Sequence, residues 1–134
     1  MKRAILLFAA AVPLAGLTAE TPPMSFDERV TLARSAEEDE RFHPYPLRMQ
    51  REAGRHFART MRNCWSVSSR QEPKPFVLVA EIQPDGRPSK VAVKPAHAAA
   101  RCFAAGFSSG RYLRPPDYPG RDGFPVMMRV AGGR

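Results

Sequence analysis

Residues 76–95 read FVLVAEIQPDGRPSKVAVKP, and the fold turns on how they are read. Phe76, Leu78, Ala80 and Ile82 alternate with Val77, Val79, Glu81 and Gln83, the two-residue repeat of a strand that shows one set of side chains to each face. Pro84-Asp85-Gly86 then interrupts: proline presets one turn dihedral, aspartate bonds its own backbone, and Gly86 accepts the positive φ that a tight turn needs. From Lys90 to Lys94 the alternation resumes, with Val91 and Val93 facing one way. The stretch predicts an antiparallel hairpin with Asp85 and Gly86 at its tip.

Upstream of the hairpin, from Leu47, the apolar residues Ala53, Phe57, Met61 and either Cys64 or Trp65 recur at helical spacing. Arg48, Arg51, Arg55, Arg59 and Arg62 fall between them, so the pattern predicts one amphipathic helix with an arginine-rich outer face. Downstream, AHAAARCFAAGFSS (96–109) predicts a second helix with Ala98, Cys102 and Ala105 or Gly106 on its inner stripe; residues this small let it lie close to a sheet. In RYLRPPDYPGRDG (111–123), Pro115, Pro116 and Pro119 forbid regular helix and predict an extended crossing. FPVMMRV (124–130) reads as a last strand, and AGGR (131–134) as a loose tail beginning at the end of the domain.

The order over residues 47–131 is therefore helix, strand, strand, helix, strand: an α+β domain with a small three-stranded antiparallel sheet and two packed helices. Ahead of it, residues 20–46 form an extension that is part helical. Ser25 with Glu28 three residues later makes a capping box, Val30, Leu32 and Ala33 follow, and HPYP (43–46) stops the helix. The acidic run Glu37 to Glu40 is expected to solvate one face of it.

The chain opens with Lys2 and Arg3, an apolar run from Ala4 to Leu17 and small residues at Thr18 and Ala19. This layout predicts a secretory leader over residues 1–19, cleaved to leave Glu20 first. A retained membrane anchor is the alternative, but the run falls short of the roughly 20 residues a spanning helix needs, and Pro13 breaks it. Without the leader, 115 of the 134 residues remain and the formal charge drops from +8 to +6. That excess of basic groups favours acidic partners such as anionic lipid, envelope polymer or acidic protein faces. Export argues against a nucleic-acid partner, and the arginines are scattered over helix, loop and strand. Two cysteines, Cys64 and Cys102, in a chain bound for an oxidising compartment are expected to form a disulfide, with a pair of buried reduced thiols as the alternative.

Chemistry-bearing motifs are sparse. His43, His56 and His97 lack metal-site spacing, neither cysteine belongs to a CxxC pair, and there is no GxSxG or phosphate-binding glycine loop. The expectation is a non-enzymatic protein without cofactor or metal; a small thiol-dependent enzyme is the remote alternative.

Taken in order, NCW (63–65), the hairpin, AAARCFAAGF (98–107), YLRPP (112–116) and FPVMMRV resemble the C-terminal domain of TonB and TolA-type proteins, in particular the cysteine-bearing branch known from gliding-motility proteins. The resemblance spans about residues 48–130 and places Cys64, Trp65, Asp85, Gly86 and Cys102 at that family's positions. It implies a periplasmic, non-enzymatic module that binds a periplasmic or outer-membrane protein by pairing an exposed sheet edge with an incoming strand. The edge expected to do so is the last strand, Phe124, Val126, Met127, Met128 and Val130, and the same edge would serve a homodimer. The family's membrane anchor and its long Pro- and Lys-rich spacer are not in this sequence, so transmission of force from the inner membrane is not expected. A rival reading makes the chain a binder of anionic envelope lipid or polymer through Arg48, Arg51, Arg55, Arg59 and Arg62.

Overall fold

The computed structural model describes Gly16, residues 22–67 and residues 74–132. Apart from Gly16, the expected leader and its cleavage point lie outside the described residues, as does the end of the tail.

The elements run α1 (Phe26–Glu38), α2 (Pro44–Glu52), α3 (Gly54–Val67), β1 (Phe76–Ile82), β2 (Pro88–Lys94), α4 (Ala98–Ser108) and β3 (Phe124–Val130). The strands form one antiparallel sheet in the order β2-β1-β3, so the expected α+β architecture is the observed one. The connection between β1 and β2 is a three-residue loop. Gly86 N–H donates to the Gln83 carbonyl at 2.8 Å, Gln83 N–H to the Arg87 carbonyl at 2.9 Å, and Gly86 has φ +84°. Asp85 stiffens the tip by accepting from Arg87 N–H at 3.0 Å.

Of the two faces of β1, the one carrying Phe76, Leu78, Ala80 and Ile82 packs into the main core with Phe57, Cys64, Phe103 and Phe107 of α3 and α4. Val77 and Val79 lie on the other face, where α1 covers them. Ala33 of α1 is buried with Val79 and Met127, and Phe26 and Val30 of α1 with Val77 and Ala92 of the sheet pack around this cluster. The extension is thus the second layer of the domain, without which this apolar face would meet water. Its start follows the capping box: Ser25 Oγ accepts from Glu28 N–H at 3.2 Å and Glu28 Oε2 accepts from Ser25 N–H at 2.7 Å.

Two expectations are corrected. The helix read from Leu47 is two helices that begin earlier, because Pro44 occupies a first-turn position of α2, where its missing N–H is no loss. Tyr45, Met49, Ala53 and Phe57 recur every four residues, and in a straight helix each step drifts about 40° off the core. A bend at Ala53, with ψ 1°, followed by Gly54 turns α3 back, while Ala53 N–H still reaches the Met49 carbonyl at 2.9 Å.

The second correction concerns the inner stripe of α4. Ala99, Ala100, Phe103 and Phe107 are buried, and Ala98 and Ala105 are exposed. The two phenylalanines bury the most apolar surface and so take the core side. Cys102 and Gly106 turn toward α3 instead. There the antiparallel pairs Thr60 with Gly106 and Cys64 with Cys102 form a seam, and a Cβ on Gly106 would come within 2.3 Å of Thr60 Cγ2. Cys64 and Cys102 form a disulfide with their Cα atoms 5.6 Å apart.

The crossing from α4 to β3 is extended and is pinned just ahead of its proline run. Tyr112 N–H donates to the Gly86 carbonyl at 2.9 Å, and Tyr45 Oη–H donates to the Leu113 carbonyl at 2.8 Å.

Candidate functional site

The sheet order leaves β2 and β3 as its two edges. They are not equivalent. β2 begins with Pro88, is followed by Pro95, carries Lys90 and Lys94, and breaks register opposite Val79–Glu81, where Lys90 adopts φ +51°. Proline, lysine and a bulge are what block pairing along an edge. β3 has none of these interruptions beyond Pro125, and its seven pairs with β1, from Phe76 with Val130 to Ile82 with Phe124, stay in one register.

The backbone groups β3 offers follow from Pro125. Proline has no N–H, so its pair with Glu81 cannot be one that exchanges hydrogen bonds; alternation makes the pairs of Met127 with Val79 and Arg129 with Val77 non-exchanging too. The N–H and C=O of Met127 and Arg129 therefore point away from β1, toward the open side. The side chains named for this edge sit elsewhere. Phe124, Val126 and Val130 are buried in the main core, Met127 is buried beneath α1, and Met128 is half-buried. Only Arg129 is exposed, so β3 presents its backbone rather than a set of recognition side chains.

The five arginines of the rival reading are all exposed, on α2 (Arg48 and Arg51) and on α3 (Arg55, Arg59 and Arg62). Among the described residues one acid approaches them: Glu52 lies 3.9 Å from Arg48, both being well exposed.

Glu81 was legible only as a polar residue near the turn, and the structure makes it the buried charge of the α1 face, 4% exposed. It pairs with Arg121, from the β3-proximal end of the crossing, and with Lys90 Nζ at 3.4 Å. Burial drives its pKa up, but the Arg121 hydrogen bond and charge, with Lys90 behind them, outweigh this and hold the carboxyl below its ordinary value. Arg29 of α1 is shifted down by burial against the pull of Glu81, and it donates to the Lys90 carbonyl. A lone acid in the apolar run FVLVAEI was the available signal that something basic covers this face.

The histidines serve the backbone. His97 caps α4, its Nδ1 accepting from Ala100 N–H at 3.1 Å, and its Nε2 meets the Lys74 carbonyl at 3.0 Å. His56 Nε2 meets the Gly106 carbonyl at 2.9 Å, and His43 Nδ1 the Glu37 carbonyl at 2.8 Å. Among the described residues no group of three His, Cys, Asp or Glu side chains is placed to hold a metal, and no helix is long and apolar enough to cross a membrane. Comparison with protein-family models, with curated proteins and with solved structures finds no match to this chain.

Proposed function

We propose that this chain is an exported, non-enzymatic protein-interaction module of the periplasm, resembling a TonB or TolA-type C-terminal domain, which takes an extended segment of a periplasmic or outer-membrane protein as a fourth strand beside β3. The observation that carries the reading is the asymmetry of the two edges: β2 is blocked by proline, lysine and a bulge, and β3 is regular and open. Main-chain bonding supplies affinity in this mode without requiring exposed side chains on the receiving strand. The disulfide between Cys64 and Cys102 suits an oxidising compartment. The same edge would equally admit a second copy, as a homodimer.

The test follows from the alternation. Arg129→Pro removes an outward N–H and spares the bonds to β1, the arrangement Pro125 already shows. Wild-type protein and this variant, matched by circular dichroism, are used to capture partners from an envelope extract and are sedimented alone at rising concentration. A partner, or a dimer, held by the wild type and lost from Arg129→Pro supports strand addition. Equal recovery from both sinks it.

The exposed arginines favour a second reading, binding of anionic envelope lipid or polymer by α2 and α3. Replacing Arg55, Arg59 and Arg62 by glutamine abolishes salt-sensitive binding to anionic vesicles in that case and leaves edge capture intact.

A further inference from the structure

Where the start of α2 meets the crossing, a groove of about 360 Å³ opens to solvent. Tyr45, Leu113 and Pro115 line it with apolar surface, and Arg41, Arg48 and Arg114 line it with guanidiniums. Its parts are held in place: the Tyr45 hydroxyl donates to the Leu113 carbonyl at 2.8 Å, and Tyr45 and Pro115 are buried. Burial has pushed the Tyr45 hydroxyl well above its ordinary pKa, so it stays a donor.

The three arginines are unequally committed. Arg41 is bound by Asp39 through Nε at 3.0 Å and a terminal nitrogen at 2.7 Å, and it lies 5.0 Å over the Phe42 ring. Arg48 has only the exposed contact with Glu52 at 3.9 Å, which is worth little. Arg114 makes no ion pair among the described residues and is exposed.

We infer that this groove is a second docking site, independent of β3, for an extended acidic peptide: an apolar side chain set against Tyr45, Leu113 and Pro115, with flanking carboxylates on Arg48 and Arg114. Charge complementarity selects the acid, because a guanidinium fork matches a carboxylate and two of the three here lack a strong internal partner. The apolar floor selects a polypeptide over a simple anion, since burying that surface needs an apolar group on the ligand. The concavity selects a chain over the flat surface of a bilayer.

The experiment is fluorescence anisotropy of the full chain with a labelled peptide of glutamates around a central leucine, with two controls: glutamine in place of every glutamate, and glycine in place of the leucine. Expected is salt-sensitive binding of the acidic leucine peptide, absent for the glutamine control. Arg48→Gln with Arg114→Gln weakens it about tenfold or more, the loss of charge-assisted hydrogen bonds. Arg59→Gln with Arg62→Gln changes it by less than about twofold. Leu113→Ala, matched to the wild type by circular dichroism, reduces the preference for leucine over glycine, a readout that unspecific charge attraction does not move. The inference is overturned by no binding, by equal weakening from both arginine pairs, by binding to anionic vesicles but not to the peptide, or by sedimentation showing that Arg114→Gln removes a dimer instead.

Discussion

Gly86 and Gly120 both have positive φ, at +84° and +73°, but only one of them is approached by another part of the chain. A Cβ on Gly86 would lie 2.2 Å from the Tyr112 carbonyl oxygen and 3.3 Å from its carbon, whereas one on Gly120 would meet nothing within 4 Å. Gly120→Ala therefore carries the conformational cost alone, about 1 kcal/mol. Gly86→Ala carries that cost and must also displace backbone, because a carbonyl oxygen cannot rotate away as a flexible side chain would. Relieving the overlap means moving the crossing by about 1 Å, which breaks the Tyr112 N–H to Gly86 carbonyl bond of 2.9 Å at a further cost of about 2 kcal/mol. The total for Gly86→Ala is about 3 kcal/mol. Urea unfolding followed by circular dichroism should show midpoints lowered by about 2 M for Gly86→Ala and well under 1 M for Gly120→Ala, with unchanged slopes. Equal shifts would refute the argument, since they would mean that only the turn conformation matters and that the crossing does not bear on the hairpin tip.

Arg121→Met leaves Glu81 buried with Lys90 as its remaining close partner and should cost about 3 kcal/mol, while Glu81→Leu with Arg121→Met should return to within about 1 kcal/mol of wild type. Because the folded carboxyl of Glu81 titrates below its ordinary value near 4.5, its contribution is complete above that pH and is lost as the pH falls through the folded value; Glu81→Gln should flatten this acid limb of the stability profile. Replacing Cys64 and Cys102 together by alanine opens a loop spanning 38 residues and should cost about 4 kcal/mol in urea unfolding, and an unchanged midpoint would contradict the constraint. Gly106→Ala gains about 1 kcal/mol of helix propensity but crowds Thr60; combined with Thr60→Ala it should show a favourable coupling of about 2 kcal/mol, and additive effects would mean that the two helices do not meet there.

Sequence patterns read well wherever one element states its own geometry. The alternation of β1, the Pro84-Asp85-Gly86 turn, the Ser25 and Glu28 box and the proline-enforced crossing depend on neighbours within a few residues, and each stands where the pattern put it. Patterns misled where two elements compete for one surface. In α4 the small residues looked like the inner stripe, yet Phe103 and Phe107 fill the main core, where both meet Phe57 of α3, and Cys102 and Gly106 lie in the seam with α3. A periodic stripe says that a helix has an inner side but not which neighbour each position meets.

The candidate edge was legible as a last strand, but not which groups of its residues face outward. Their side chains turn inward because Phe124, Val126 and Val130 are needed by the core and Met127 by α1, which leaves the backbone of Met127 and Arg129 to face outward. The groove at Arg48 and Arg114 was invisible, since its walls come from segments some 65 residues apart, joined by the Tyr45 to Leu113 bond with its separation of 68.

What the sequence determined by itself was the order of helical and strand segments, though not the division into α2 and α3, together with the hairpin tip and the two cysteines available to bridge, all of which follow from short-range stereochemistry and composition. Only the tertiary structure decided that α1 roofs the second face of the sheet, that Glu81 is buried among Arg121, Lys90 and Arg29, and that of the two edges β2 is the irregular one and β3 the regular one. The reason is physical: burial and edge exposure are properties of surfaces that meet across the chain, and no single segment contains both sides of the contact.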